Sequence, residues 1–274
     1  MIRTIIFSIC FVFLLGDSQA AELESGRSLF NGKNFEGWET YLGPPHASLN
    51  LGKEPIGVNR DPTGVYSVVQ EDGQPAIRIS GQIWGAITTL EEFENYHLRF
   101  ETKWGQKKWP PRENTVRDSG LLYHCVGPHG AGSKFWMKSF ECQVQENDVG
   151  DFWSVAGVLV DVEGDRPGDK GPLTFRKGGT LHAGWKNRII RNPRSEKPSG
   201  EWYTVEVYLY GQTAVHVCDG KTNMILNHLR HVVEGKETPL TKGKIQLQSE
   251  SAEVYYRNIM LRPIDRIPDE VLLK

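Results

Sequence analysis

The stretch Lys138 to Trp153, K-S-F-E-C-Q-V-Q-E-N-D-V-G-D-F-W, concentrates residues able to do chemistry. Read as a strand, it puts Glu141, Gln143 and Gln145 on one face and Cys142 and Val144 on the other, because side chains alternate with period two. The turn that follows carries Glu146, Asp148, Asp151, Phe152 and Trp153. Amides that donate and accept, carboxylates that accept and an aromatic plane beside them are the groups that grip sugar hydroxyls. Glu141 is the first candidate for a catalytic carboxyl, with a solvated or ion-paired strand residue as the bland alternative. Gln143, Glu146, Asp151 and Trp153 are candidates for substrate contact, against an acidic surface turn with a core Trp.

Three other positions join this set. His124 follows Leu121-Leu122-Tyr123 and titrates near working pH, so it is a candidate base; a packed structural histidine is the alternative. Lys103 shares a strand face with His97, Arg99 and Glu101 and is a candidate electrophile, against a solvated charge row. Gln246, Gln248 and Glu250 form a second polar row, from which Gln248 is selected. His-x-His and His-Glu-x-x-His spacings are absent, so a divalent metal is expected only if Glu141 and His124 meet across strands. His129 and His182 lie in loops and are weaker candidates. Asp161, Glu163, Asp165 and Asp169 depart from calcium-loop spacing and read as a solvated loop. No Gly-x-Ser-x-Gly elbow, phosphate loop or dinucleotide fingerprint occurs.

The elements that must position these residues read as strands. Helical periodicity is nearly absent, and short alternating runs recur between Gly, Pro, Asn and Asp, the pattern of an all-β sandwich. Strands are expected over 65–69, 76–80, 85–88, 96–104, 120–125, 140–145, 153–160, 202–210, 213–218, 224–227, 243–249 and 254–262. Asp219-Gly220 is a hairpin turn. Segments 40–62, 107–118 and 161–199 read as irregular. Two antiparallel sheets would bury Leu98, Phe100, Leu122, Val144, Val205, Val207, Ile245 and Leu247, leaving one outer face as a concave binding surface. Residues 1–20 read as a secretory signal: Arg3, an apolar run from Ile5 to Leu15, and Ser18-Gln19-Ala20 at the cleavage site. Cys10 lies inside the apolar run, against a lipoprotein. The expectation is therefore a secreted or periplasmic protein with no membrane anchor after cleavage, and one domain over 21–274. Net charge is −2 with Lys and Arg scattered, so no nucleic-acid partner is expected. Of Cys125, Cys142 and Cys218, one pair can form a disulfide, Cys125 with Cys142 first; buried free thiols are the preferred reading.

Leu29-Phe30-Asn31-Gly32-Lys33 with Gly37-Trp38 resembles the opening of the 3-keto-disaccharide hydrolase family. Further blocks agree in order: Asp118-Ser119-Gly120, Glu141 to Glu146, Glu201 to Val207, Gly243 to Glu250, and Tyr255 to Ile259. The resemblance implies a concanavalin-like jelly roll acting on an oligosaccharide or other glycoside oxidised at sugar C3, and it adds Ser119 to the substrate-binding set. A C3 ketone acidifies the C2 proton; a base removes it, an enolate forms and the C1 substituent leaves. Such a site needs no pair of carboxylates at fixed separation. The amides at Gln143 and Gln145 also stand where a two-carboxylate glycosidase would need acids. A non-catalytic carbohydrate-binding module on the same sandwich is the alternative, and a jelly-roll endoglycosidase the less favoured third.

Overall fold

Along Tyr203-Thr204-Val205-Glu206-Val207, buried and half-buried side chains alternate, so one face of this strand enters a core and the other meets solvent. The computed structural model describes residues 26–168 and 170–273. The expected signal segment and Asp169 lie outside these residues. Two layers form from such strands, antiparallel throughout except where Leu173–Phe175 runs parallel to Ile189–Ile190. The back layer runs Tyr66–Glu71, Gln74–Ile79, Ala252–Pro263, Tyr96–Lys108, Tyr203–Tyr210, Thr213–Cys218 and Lys221–Val233. The front layer runs Gly57–Val58, Trp38–Leu42, Gly85–Thr89, Lys244–Ser249, Gly120–Val126, Lys138–Gln143 and Phe152–Val155. It continues through Ile189–Ile190, Leu173–Phe175, Leu159–Asp165 and Thr180–Trp185. Leu159–Asp165 also pairs with Lys221–Val233, joining the layers at one corner. The result is a jelly-roll β-sandwich.

The core lies between the layers. Leu98, Phe100, Val205, Val207 and Tyr256 face it from the back; Ile87, Leu121, Tyr123, Phe140, Cys142, Ile245 and Leu247 face it from the front. Truncating one of these large apolar side chains to Ala costs about 3–5 kcal/mol for an aromatic, because the site collapses only partly. Leu122, expected inside, instead points outward and packs with Cys125, Met137 and Val155. It is the cross-strand partner of Glu141, so the two share a face.

The Asp219-Gly220 turn has φ of 47° and 75°, the twist that a two-residue hairpin between right-twisted strands requires. The run expected as one strand over 153–160 is broken at Ala156-Gly157, where φ is 56° and 82°. It becomes two strands, Phe152–Val155 and Leu159–Asp165. Segment 161–199, expected irregular, contains Leu173–Phe175, Thr180–Trp185 and Ile189–Ile190. Thr180–Trp185 has no buried residue, so no apolar alternation marks it; pairing with Leu159–Asp165 holds it. Trp38–Leu42 and Gly57–Val58 likewise appear in the segment read as irregular. The three cysteines are buried and free. Cys125 and Cys142 belong to clusters on opposite faces of the front layer, which keeps their thiols apart.

Candidate active site on the concave face

The outer face of the front layer is built from rows of cross-strand partners. One row reads Glu39, Thr88, Gln246, Leu122, Glu141 and Trp153. The neighbouring row brings Gln248 beside Ala86 and Gly120 beside Gln143. Gly120 has no side chain to fill this face. A Cβ built on it would stand 2.2 Å from Glu141 Oε1 and 2.6 Å from Gln248 Oε1, so these two oxygens occupy the space a side chain would fill. Phe140 and Cys142 anchor the Glu141 strand in the core, which sends Glu141 and Gln143, each 6% exposed, to the concave side.

Glu141 is pushed well above the usual carboxylate range, first by burial and then by the negative charges of Glu250 and Asp118; a hydrogen bond from the Gln248 amide opposes this. Gln248 is 1% exposed and its Oε1 has no partner. Asp118 and Glu250 face each other across an antiparallel bridge. Arg112 spans them, donating from Nη1 to Asp118 and, at 2.9 Å, to Glu250, and from Nη2 to Gln145 at 2.6 Å. Burial raises both carboxyl groups, and Arg112 works against the rise. Trp153, 39% exposed, is the direct partner of Glu141 and lies under the Arg188 guanidinium, 5.8 Å from the ring centroid. On the far side, Trp136 packs on the Leu122 cluster and stacks with Trp84 at 6.1 Å. The Trp84 indole N–H donates to Ser251 Oγ at 2.6 Å.

The structure brings Glu141, Gln143, Gln248 and Trp153 to this face. Gln143 turns its Oε1 back to its own chain, accepting from the N–H groups of Val144 and Gln145 at 2.9 and 3.2 Å. Ser119 is fully buried; its hydroxyl donates to the Gln248 carbonyl at 2.8 Å and bonds the Tyr256 hydroxyl at 2.7 Å, so it holds the Gln248 backbone. Glu146 and Asp151 are ion-pair residues instead. Glu146 accepts from the Arg117 side chain and N–H, both at 2.7 Å. Asp151 is enclosed by Arg188 and Arg191.

Two candidates stand elsewhere. His124 is a core residue. The pairing slips between Tyr123 and Val126, and His124 has φ of 49°, so this bulge turns its ring inward against Tyr96, Tyr123 and Phe140. It is fully buried, its Nδ1 lies 3.1 Å from the Leu240 carbonyl, and burial pushes it down to about 4. The ring therefore faces the core, on the other side of the layer from Glu141, and the two do not meet across strands. Among the described residues, no group of three or more His, Cys, Asp or Glu is arranged to hold a metal. Lys103 belongs to the back layer. With Leu98 and Phe100 in the core, the odd-numbered face of its strand is the outer surface opposite the cleft. There Lys103 pairs with Glu71 and Asp72 and lies over Trp202. The acidic run after Val160 is spent on pairs: Asp161 with His228 and Arg230, Asp165 with Arg176.

Arg112, Asp118, Glu250, Trp84 and Trp136 were not singled out by sequence reasoning. Glu250 shares the period of Gln246 and Gln248, and Asp118 opens a family-like block, so both had a signal. Arg112 sits in the irregular loop 107–118, marked by Pro110-Pro111, mixed charge and length, none of which points to one residue.

A family model described as a 3-keto-alpha-glucoside-1,2-lyase-like domain matches residues 25–262. Among curated proteins, none matches the chain. Solved structures with similar folds include a candidate glycosyl hydrolase from Parabacteroides distasonis, 18% identical, covering 90% of this chain and 98% of its own with a TM-score of 0.49. A Bacillus licheniformis β-glucanase is 9% identical and covers 88% of this chain and 98% of its own, with a TM-score of 0.45. The carbohydrate-binding module CBM66 of Bacillus subtilis is 9% identical and covers 72% of this chain and 91% of its own, with a TM-score of 0.40.

Proposed function

Because the chain belongs to the 3-keto-alpha-glucoside-1,2-lyase-like family, we propose that it cleaves glycosides of 3-keto sugars, with Glu141 as the base. The observation that carries this reading is the Glu141 carboxyl, buried and facing Gln248 over the side-chain-free Gly120. A carboxyl whose proton affinity is raised is a stronger base once ionised and a usable acid once protonated.

The steps balance on one carboxyl. Glu141 carboxylate takes the C2 proton, and the C–H electron pair forms a C2=C3 enolate with charge on the ketone oxygen. The enolate collapses, restoring C3=O and forming C1=C2 as the C1–O bond breaks. The leaving oxygen takes a proton, for which Glu141 is the nearest loaded donor. The product is an unsaturated keto sugar, and later addition of water makes the net outcome hydrolysis. Gln248 steadies Glu141 through its N–H and offers its free Oε1 to a sugar hydroxyl. Trp153 gives the sugar ring a plane to stack on. A leader-directed, secreted or periplasmic location suits a glycan substrate and is part of the same proposal.

The test compares a 3-keto-disaccharide with its unoxidised parent. Cleavage of the keto sugar alone is expected. Binding without cleavage, with or without divalent metal, would replace this reading with that of a carbohydrate-binding module.

A further inference from the structure

Asp118 and Glu250 face each other across one bridge and share the Arg112 guanidinium. Asp118 and Glu250 have side chains 5% and 10% exposed, and Arg112 is 24% exposed. Glu141 adjoins them: its Oε1 and Gln248 Oε1 share the space over Gly120, and Gly120 and Gln248 lie two residues along the chain from Asp118 and Glu250 respectively; both acids push on Glu141. Asp118 Oδ1 has no partner. Asp148 also acts on Asp118, and it accepts from Gln145 at 2.5 Å. Asp148 is itself held by Arg188 and Arg191, and Glu146 is paired with Arg117. Arg112 is thus the cation bonded directly to the cluster. Three buried carboxylates beside a single positive charge cannot all be ionised without a large desolvation and repulsion cost. The cluster therefore keeps protons, and the strength of the nearby cation governs how many.

We propose that Arg112 is a positioning residue whose positive charge fixes how many protons the Glu141–Asp118–Glu250 cluster carries. Its consequence for catalysis rests on the proposed use of Glu141 as base; the charge relation itself does not. Removing the cation raises the proton affinity of every step of a coupled cluster, whichever residue each proton is assigned to.

The experiment is a pH titration of the unliganded protein with 13C-labelled Asp and Glu carboxyl groups, followed by NMR. Arg112→Gln should move the cluster midpoints to higher pH by about one unit or more, and Arg112→Lys should move them less. Midpoints in Arg112→Gln equal to those of the wild type overturn the proposal. Asp118→Asn covers the case in which Arg112→Gln does not fold: Glu141 and Glu250 midpoints should then fall, and unchanged midpoints overturn the shared-cluster premise. The titration reads the charge relation directly, so it decides the role of Arg112 whether or not keto-glycosides are cleaved. If they are, the pH–rate profile of Arg112→Gln should shift alkaline with the titration, which a merely structural role would not cause.

Discussion

At the scale of residues, the cleft is defined by a carboxyl and a missing side chain. Glu141→Gln keeps the shape but loses the proposed base, so cleavage of a 3-keto-glycoside should fall by about 10²–10⁴-fold or more. The same variant should be more stable, increasingly so as pH rises. Glu141 has a folded-state affinity above its ordinary value of 4.5, so the folded protein holds a proton that the unfolded chain has released. Stability from this group is therefore present at low pH and declines as pH climbs above about 4.5. Melting temperatures of the two proteins should converge in acid and separate as pH rises above about 4.5. Gly120→Ala would put a methyl into the space of Glu141 Oε1 and Gln248 Oε1. We expect a rate about 10²-fold lower with the fold retained, measured as kcat/KM beside the melting temperature. Glu141 was legible in the sequence because Cys142 and Val144 showed which side was in. Its effect on Gly120 was not, since only the cross-strand register brings them together.

At the scale of elements, turns were readable where residue type dictates backbone. Asp219-Gly220 announced a hairpin, and Gly220, at φ 75° with open space around its missing Cβ, owes its place to conformation alone. Gly220→Ala should therefore cost about 1 kcal/mol by denaturant titration. The bulge at His124 was not readable. No Gly, Asn or Asp marks it, and the slip is set by how Gly120–Val126 fits its two neighbours. That slip moves His124 from the cleft to the core. Edge elements such as Thr180–Trp185 escaped for a different reason: with no buried residues, they owe their existence to backbone pairing rather than to a hydrophobic pattern.

At the scale of the whole molecule, alternation was enough to yield two stacked antiparallel layers and most of the core, because period-two burial is a property of the strand itself. The layer that carries the cleft followed from family-like blocks more than from composition. The same core contains a pH dependence. His216 is fully buried between the Tyr123 hydroxyl at 2.9 Å and the Gly150 carbonyl at 3.0 Å, and burial pushes it down from 6.5 to about 4. Below pH 6.5 the unfolded chain takes up a proton that folded His216 refuses, so stability is lost as pH falls from 6.5 to about 4. The loss is about 3 kcal/mol at most for this residue. His216→Gln should lower stability near neutrality yet flatten the acid slope of melting temperature against pH.

The central claim is removal of the C2 proton at the Glu141 floor. It is tested most directly with a 3-keto-disaccharide deuterated at C2 of the oxidised ring, by following the label in the cleaved sugar. Cleavage with the deuterium released to solvent is expected, and neither event in Glu141→Gln. Cleavage with deuterium retained at C2, or undiminished cleavage by Glu141→Gln, would contradict it.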